Sequence, residues 1–340
     1  MIIRGANMNA SGFNRFAFLI LLAGAAVLLG TEQGSAQEKT DALVFGSPLK
    51  DDIVFFYRYT ETVQEWFLDK DGAVQDSSER VLTYFIGQRQ LNSDLGGGAK
   101  VIEANIDSMQ LDYRGSAGNV TFNTQNLSNA QDMKLVRHPA ILVPSSIVNC
   151  VTRMTLSAYG TFVNMNSQSI ENLRKQGEDP MLDDYTQKGI EYIVKPEFLT
   201  TVFFPWRNVV PLGRIVPFGK PMKVATTSAI DRIVFADSAT VVLEHVNEDG
   251  VAGVLDFKAP LSNHVTEWTT FEGNENPVLV NDADGFISGK LMVDRDGLVL
   301  QGWSMADGTI KGSARGKAVD VRVRHQVSVE LLDQKSFPGN

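Results

Sequence analysis

A long alternation of apolar and polar residues near the C-terminus constrains the fold more than any other feature of the chain. From residue 319 to residue 331 every second position but one is apolar: Val319, Val321, Val323, Val327, Val329 and Leu331. Asp, Arg, Gln, Ser and Glu residues lie between them. A strand places alternate side chains on opposite faces, whereas a helix would scatter these valines around its circumference. The pattern predicts a long strand in a broad, curved sheet with one wet face.

Asp-Gly pairs divide much of the remaining chain and indicate hairpins. They occur at 71–72, 249–250, 284–285, 296–297 and 307–308. Glycine adopts a positive φ without steric cost, which suits the two-residue turns that join antiparallel strands. The flanking runs are rich in Val, Ile, Phe, Tyr and Thr. We therefore predict a mainly β fold of one or two curved antiparallel sheets, half-barrel-like, with a short helical segment in the middle.

The helical segment is predicted between two β regions. Residues 169–176 are typical of one short helix, and residues 183–206 roughly follow a helical face, with Asp183 or Asp184 as N-cap and Pro196 as a kink or boundary. The predicted organisation is a signal peptide over 1–37, an N-terminal β region over 38–150, a helical and linking segment over 151–215 and a C-terminal β region over 216–340. The sequence leaves open whether the two β regions form one domain.

The N-terminus has the three parts of a secretory signal peptide. The first fifteen residues contain Arg4 and Arg15 and no acidic residue. An apolar run then extends from Phe16 to Gly30, and a polar stretch with small residues follows it up to Ala36. Fifteen apolar residues rise only about 22 Å as a helix, short of the ~30 Å hydrocarbon core of a bilayer. We therefore expect cleavage after Ala36 or Gln37, and a bacterial periplasmic or extracellular protein with no transmembrane segment.

Composition and motifs predict no nucleic-acid partner, no cofactor and no metal. The chain has 31 basic and 40 acidic residues, a net charge of −9 and no basic block. Its isolated histidines (His138, His245, His264 and His325) form no zinc-type pair. His325 is in phase with the valines of the last strand, and we interpret it as a core histidine. The single cysteine, Cys150, is interpreted as a buried, inert thiol, since one thiol closes no bridge within a chain.

Four segments carry a resemblance to a known group of proteins. They are YRYTETVQEWFLDKDG (57–72), TLSAYGTFVNMN (155–166), FFPWRNVVPLGRIVPFGKPMKVATT (203–227) and GLVLQGWSM (297–305). Their order resembles that in uncharacterised exported bacterial proteins, many of them lipoproteins, known only as a domain of unknown function. The resemblance implies a half-barrel sheet like that of lipoprotein carriers, which cups helices or an acyl chain. This chain departs from the group because it has no cysteine at the signal cleavage site for lipid attachment.

The first function that we consider is non-catalytic binding in the envelope. A curved sheet would offer an apolar face to a lipid, to another hydrophobic ligand or to an envelope protein. The central stretch 190–206 would then act as a plug or lid. Its predicted ligand-binding residues are Ile193, Phe198, Phe203, Phe204 and Trp206.

The alternative is an exported hydrolase that acts on a polysaccharide or an ester. Carboxylate pairs of glycosidases are distant in sequence, so the sequence selects no catalytic residue. The tryptophans (Trp66, Trp206, Trp268 and Trp303) line a sugar or lipid cleft in one interpretation and fill the core in the other.

Overall fold

A computed structural model describes eleven stretches of the chain, and the predicted signal peptide lies outside them. The described residues are 42–46, 53–91, 99–116, 118–126, 139–157, 162–206, 209–230, 234–247, 252–262, 268–269 and 278–336. All of them belong to one compact unit, Thr40–Asn340.

Most of these residues form strands. The strands are β1 (Ala42–Val44), β2 (Ile53–Leu68), β3 (Val74–Leu91), β4 (Lys100–Gly115), β5 (Gly118–Asn123), β6 (Thr152–Leu156), β7 (Phe162–Asn166), β8 (Ile215–Pro217), β9 (Met222–Ile230), β10 (Val234–Val246), β11 (Ala252–Ser262), β12 (Trp268–Thr269), β13 (Val278–Asp294), β14 (Val299–Ala314) and β15 (Lys317–Ser336). The helices are α1 (Pro139–Ser145), α2 (Gln168–Gly177), α3 (Asp184–Ile193) and α4 (Pro196–Phe203), with a single 3-10 turn at Thr124–Asn126.

Thirteen of the strands form one antiparallel sheet that is not closed into a barrel. Its order is β7-β6-β4-β3-β2-β15-β14-β13-β11-β10-β9, with β5 added to β4 and β12 added to β13. Strands β1 and β8 form a separate antiparallel pair. The last strand, β15, pairs with β2 over almost its whole length, from Asp320 opposite Leu68 to Ser336 opposite Ile53. The two β regions are therefore parts of one continuous sheet, and the prediction of a mainly β fold is confirmed.

The alternation at the C-terminus produces the strand that it predicted. Strand β15 extends a few residues beyond the predicted range at both ends. Val321, Val323, Val327 and Val329 are buried on one face, with His325 among them. The same face of β2 buries alternate residues from Tyr57 to Phe67, so the two central strands present one inner face and one outer face.

Two of the predicted Asp-Gly turns are confirmed, and they have the same geometry. In the β2–β3 hairpin, Asp69 Oδ1 accepts hydrogen bonds from the backbone N–H groups of Asp71 and Ala73, and Gly72 has φ +80°. In the β13–β14 hairpin, Asp294 Oδ1 accepts from Leu298 N at 2.8 Å, and the glycine that precedes this leucine has φ +84°. The pair at 249–250 lies outside the described residues.

The turns predicted at 284–285 and 307–308 are wrong, because both pairs lie inside strands. Gly285 of β13 sits directly opposite Gly308 of β14. A Cβ built on Gly285 would lie 2.4 Å from Asp307 O and 2.8 Å from Gly308 Cα. These glycines allow two backbones to approach closely, which is a second role of glycine in sheets. An Asp-Gly pair in the sequence does not distinguish this role from a turn.

The helical segment follows the prediction closely. Helix α2 covers the predicted 169–176, and Asp183 caps α3 by accepting from Thr186 N at 2.9 Å. Pro196 is a boundary, since it occupies the first turn of α4. Helix α1 lies in the stretch that was predicted as β, and the hairpin β6–β7 lies in the stretch that was predicted as helical and linking.

Two apolar clusters lie on the inner face. The N-terminal cluster is covered by the helices, whereas the C-terminal cluster extends across the strands from β2 to β9. Among the described residues, those that pack into this cluster from outside the sheet include Leu43, Phe45, Val209, Val210, Leu212 and Val216. Val241, Leu255 and Val323 are fully buried in it.

Candidate functional site

The inner face of the sheet beneath the helices is the main enclosed apolar region. Helix α2 contributes Ile170 and Leu173, and α3 contributes Ile190 and Ile193. Helix α4 adds Leu199, Val202 and Phe203. Each helix buries its apolar residues against the sheet and against its neighbouring helices, as the approach of Gly177 to Ile190 and of Gly189 to Val143 illustrates.

The segment after α4 is attached to the sheet by two hydrogen bonds. Gln88 Nε2 of β3 donates to Phe203 O at the end of α4. Trp206 Nε1 donates to Ser304 Oγ of β14 at 3.0 Å, and Trp206 itself has φ +58°. A left-handed backbone at a bulky residue is strained, so packing and this hydrogen bond hold the turn in place. The two contacts lie on strands on either side of the β2–β15 pair.

A small cavity of about 40 Å³ lies under this segment. Its walls are formed mainly by apolar residues of β2, β3, α4, the β13–β14 turn and β15: Phe55, Tyr57, Tyr59, Ile86, Val202 and Phe204 are examples. Such a space has room for two or three water molecules. Pockets for small ligands have about 300–1,000 Å³, so the helices themselves fill this face in the observed conformation.

The predicted ligand-binding residues divide into two groups. Phe203 and Phe204 line the cavity. Ile193, Phe198 and Trp206 do not line it. Ile193 is buried in the apolar cluster, and Phe198 is half-buried against Tyr192, with ring centroids 5.1 Å apart. Whether these residues bind a ligand stays a prediction.

A buried polar network, which the sequence did not single out, lies between the two apolar clusters. Glu61 Oε1 of β2 is 2.7 Å from His325 Nε2 of β15, and Glu61 Oε2 accepts from Arg80 of β3 at 3.0 Å. Four residues further along β2, Glu65 Oε2 accepts a hydrogen bond from Ser78 Oγ of β3 at 3.0 Å. The interpretation of His325 as a core histidine agrees with this contact.

The alternation of β2 was the available signal for this network. Glu61 and Glu65 are in phase with Tyr59, Val63 and Phe67, which are buried on the inner face. Glu61 is 9% exposed and Glu65 1% exposed. Both carboxylates are withdrawn from solvent, and their hydrogen bonds satisfy buried polar groups.

Two tyrosines beside the network remain protonated. Burial, followed by the nearby negative charge of Glu61, raises the pKa of both Tyr59 and Tyr84. The Tyr84 hydroxyl donates to Pro144 O of α1 at 2.9 Å. Tyr84 therefore acts as a hydrogen-bond donor that fixes α1 to the sheet.

The next features are the single thiol and the side chains that could hold a metal ion. Cys150 is half-buried, its thiol donates to Ser146 O at 3.5 Å, and burial raises its pKa, which disfavours the reactive thiolate. No group of three or more His, Cys, Asp or Glu side chains is arranged to hold a metal ion among the residues that the structure describes. His138 and His264 lie outside those residues. Within the same ranges, no helix has the length and apolar character to cross a bilayer.

Comparison with known proteins assigns no family. No family model matches the chain, and no curated protein matches it. A structure reported on lipid–protein interactions in lipovitellin is 10% identical, with a TM-score of 0.46 over 86% of this chain and 26% of that chain. The chain thus spans about a quarter of the length of that protein.

Two further solved structures have lower TM-scores. An outer membrane channel from Pseudomonas putida F1 is 8% identical, with a TM-score of 0.21 over 88% of this chain and 100% of that chain. A protein with a YmcC-like fold from Bacteroides fragilis is 10% identical, with a TM-score of 0.14 over 86% of this chain and 99% of that chain. Similarity at this level supports no conclusion about function. A function has to be argued from the geometry of the protein itself.

Proposed function

We propose that this chain is a non-catalytic protein of the bacterial envelope that binds a hydrophobic ligand on the inner face of its sheet, beneath residues 190–206. The observation that carries the proposal is the unequal cover of this face. In the C-terminal half the apolar face packs against residues of β1, of β8 and of the stretch 209–212, whereas in the N-terminal half short helices cover the sheet. These helices pack on the sheet through apolar side chains, and their displacement breaks no ladder of strand hydrogen bonds.

The energy of displacement indicates the class of ligand. Helix α4 buries Leu199, Val202 and Phe203, and exposing a buried apolar side chain costs about 1.5–3 kcal/mol. Displacing these three side chains alone therefore costs roughly 5–9 kcal/mol. An acyl chain gains about 0.8 kcal/mol per buried CH₂, so about 6–11 methylenes offset that cost. A long acyl chain meets this requirement, whereas a small apolar molecule does not.

Native mass spectrometry of protein released gently from an envelope fraction tests this proposal. We expect an adduct with the mass of a lipid. The mass of the polypeptide should be that of a chain cleaved after Ala36 or Gln37. A fluorescent fatty acid should bind to the delipidated protein. Phe203→Asp or Phe204→Asp should weaken its binding at least tenfold, because a buried carboxylate disfavours an apolar ligand.

Phe286→Asp is the matched control. Phe286 is 51% exposed on the outer face, so the same substitution there should leave fatty-acid binding unchanged. Circular dichroism must confirm that each variant folds. Absence of a lipid adduct, together with equal probe binding by folded Phe203→Asp and by Phe286→Asp, would contradict the proposal. A protein complex in the native spectrum would instead favour an envelope protein as the partner. No observation on the described residues favours the hydrolase.

A further inference from the structure

A second concavity, separate from the apolar cavity, opens on the outer face of the sheet. It has a volume of about 380 Å³. Its lining includes Gln64 and Trp66 of β2, Ser77 and Glu79 of β3, and Arg114 of β4. We call it the outer cleft. Its volume falls within the range of small-molecule sites.

The outer cleft exists because β4 ends its pairing before β3 does. The last β3–β4 pair is Glu79 opposite Arg114, whereas β3 continues against β2 as far as Val74. Beyond Glu79, β3 continues without a β4 partner among the described residues, and the Ser77 N–H donates to Asp76 Oδ1 at 2.8 Å. The side chains around this gap are therefore the groups that can contact a ligand.

Trp66 forms an aromatic wall of the outer cleft. On its β15 side the guanidinium groups of Arg322 and Arg324 lie 5.7 and 5.9 Å from the ring centroid. Both arginines are ion-paired with Asp307 of β14, at 3.2 and 2.7 Å. The indole is therefore supported from one side by fixed cations, while its β3 side borders the cleft.

The polar side chains opposite Trp66 offer both hydrogen-bond donors and acceptors. Gln64 Nε2 donates to Glu79 Oε1 at 2.9 Å, which orients this carboxylate. Arg114 is directly opposite Glu79 in the register but forms no salt bridge with any residue that the structure describes. One carboxylate and one guanidinium give the cleft both signs of charge and no net charge.

We propose that the outer cleft binds a neutral saccharide. An indole face packs against the C–H face of a sugar ring, and it gains apolar contact without desolvating the hydroxyl groups. The sugar hydroxyls would accept hydrogen bonds from the N–H groups of Arg114 and Gln64. They would donate hydrogen bonds to the carboxylate of Glu79. A charged ligand is disfavoured because it would face a like charge in the cleft as well as an opposite one.

Isothermal titration calorimetry with maltotriose, cellotriose and the trimer of N-acetylglucosamine tests this site. We expect at least one trimer to bind with a Kd of about 0.1–1 mM. Trp66→Ala should weaken that binding at least about tenfold. Glu79→Gln keeps the shape and the link to Gln64 but removes the charge, and it should weaken binding about threefold or more.

Trp303→Ala is the matched control, because Trp303 is also on the outer face, 39% exposed, but lies outside the cleft. It should bind the trimer as the unchanged protein does. The proposal is overturned if none of the three trimers binds at about 10 mM, or if Trp66→Ala and Trp303→Ala have equal affinities. If Trp66→Ala does not fold, unchanged affinity of Glu79→Gln overturns it. Fatty-acid binding on the inner face should be unaffected by all three variants.

Discussion

Glu61 offers the most direct test of how the inner face is stabilised. Glu61→Gln keeps the shape of the side chain but removes the negative charge that lies 3.0 Å from Arg80 and 2.7 Å from His325. Both carboxylate and guanidinium are buried, with side-chain exposures of 11% and 13%. Removing one partner of a buried ion pair costs about 3–5 kcal/mol, because the remaining charge stays in a medium of low dielectric. We expect about 3 kcal/mol, since glutamine still accepts one hydrogen bond.

This loss is large enough to measure by heat or by urea. The entropy of unfolding is about 2.1 cal/mol/K per residue, or roughly 0.6 kcal/mol/K for the compact unit Thr40–Asn340. A loss of about 3 kcal/mol therefore lowers the Tm by about 5 °C. Glu330→Gln is the control, because Glu330 pairs with Arg58 at the surface, with exposures of 46% and 48%. That pair should contribute less than about 1 kcal/mol. Equal losses from the two substitutions would refute the reasoning.

Two further predictions concern the hairpins. Gly285→Val should lower the free energy of unfolding by about 1–3 kcal/mol in urea titrations, because its Cβ would meet the backbone of β14. A loss no larger than that of Gly46→Ala, whose added Cβ would have its nearest neighbour at 3.6 Å, would contradict this. Backbone hydrogen bonds, first that from Ala73, lower the pKa of Asp69. Its contribution to stability is then complete above the unfolded pKa of about 3.9 and is lost as the pH falls through the lower folded value. The stability difference between the unchanged protein and Asp69→Ala should accordingly be smaller at low pH than at pH 7, and a constant difference would contradict the assignment.

The features that sequence predicted well are those set by local periodicity. The valines of β15 needed no knowledge of their partner strand, because alternation alone fixes which face is apolar. The caps and boundaries of the helical segment were equally local, as Asp183 and Pro196 illustrate. The errors at Gly285 and Gly308 have the opposite origin. Their role depends on a strand partner more than 20 residues away, which the dipeptide does not encode.

The candidate sites were less predictable for the same reason. The stretch 190–206 was identified as cover for the sheet, but its apolar pattern did not separate Phe203 and Phe204, which line the cavity, from Ile193, which does not. The outer cleft arises where β4 leaves β3. Its residues come from three strands, β2, β3 and β4, and they are brought together only by the register of the folded sheet.

The pairing of β2 with β15 has a consequence for how the protein is made. Glu61 and His325 are 264 positions apart in the chain, yet they meet at the centre of the sheet. The N-terminal strands cannot complete their pairing until β15 has been synthesised, and contacts of such high sequence separation slow folding. A chain shortened before β15 would leave β2 and β14 as two long, unpaired edges, which are templates for aggregation. Loss of β15 (Lys317–Ser336) would therefore expose more of the sheet than loss of either edge strand, β7 or β9.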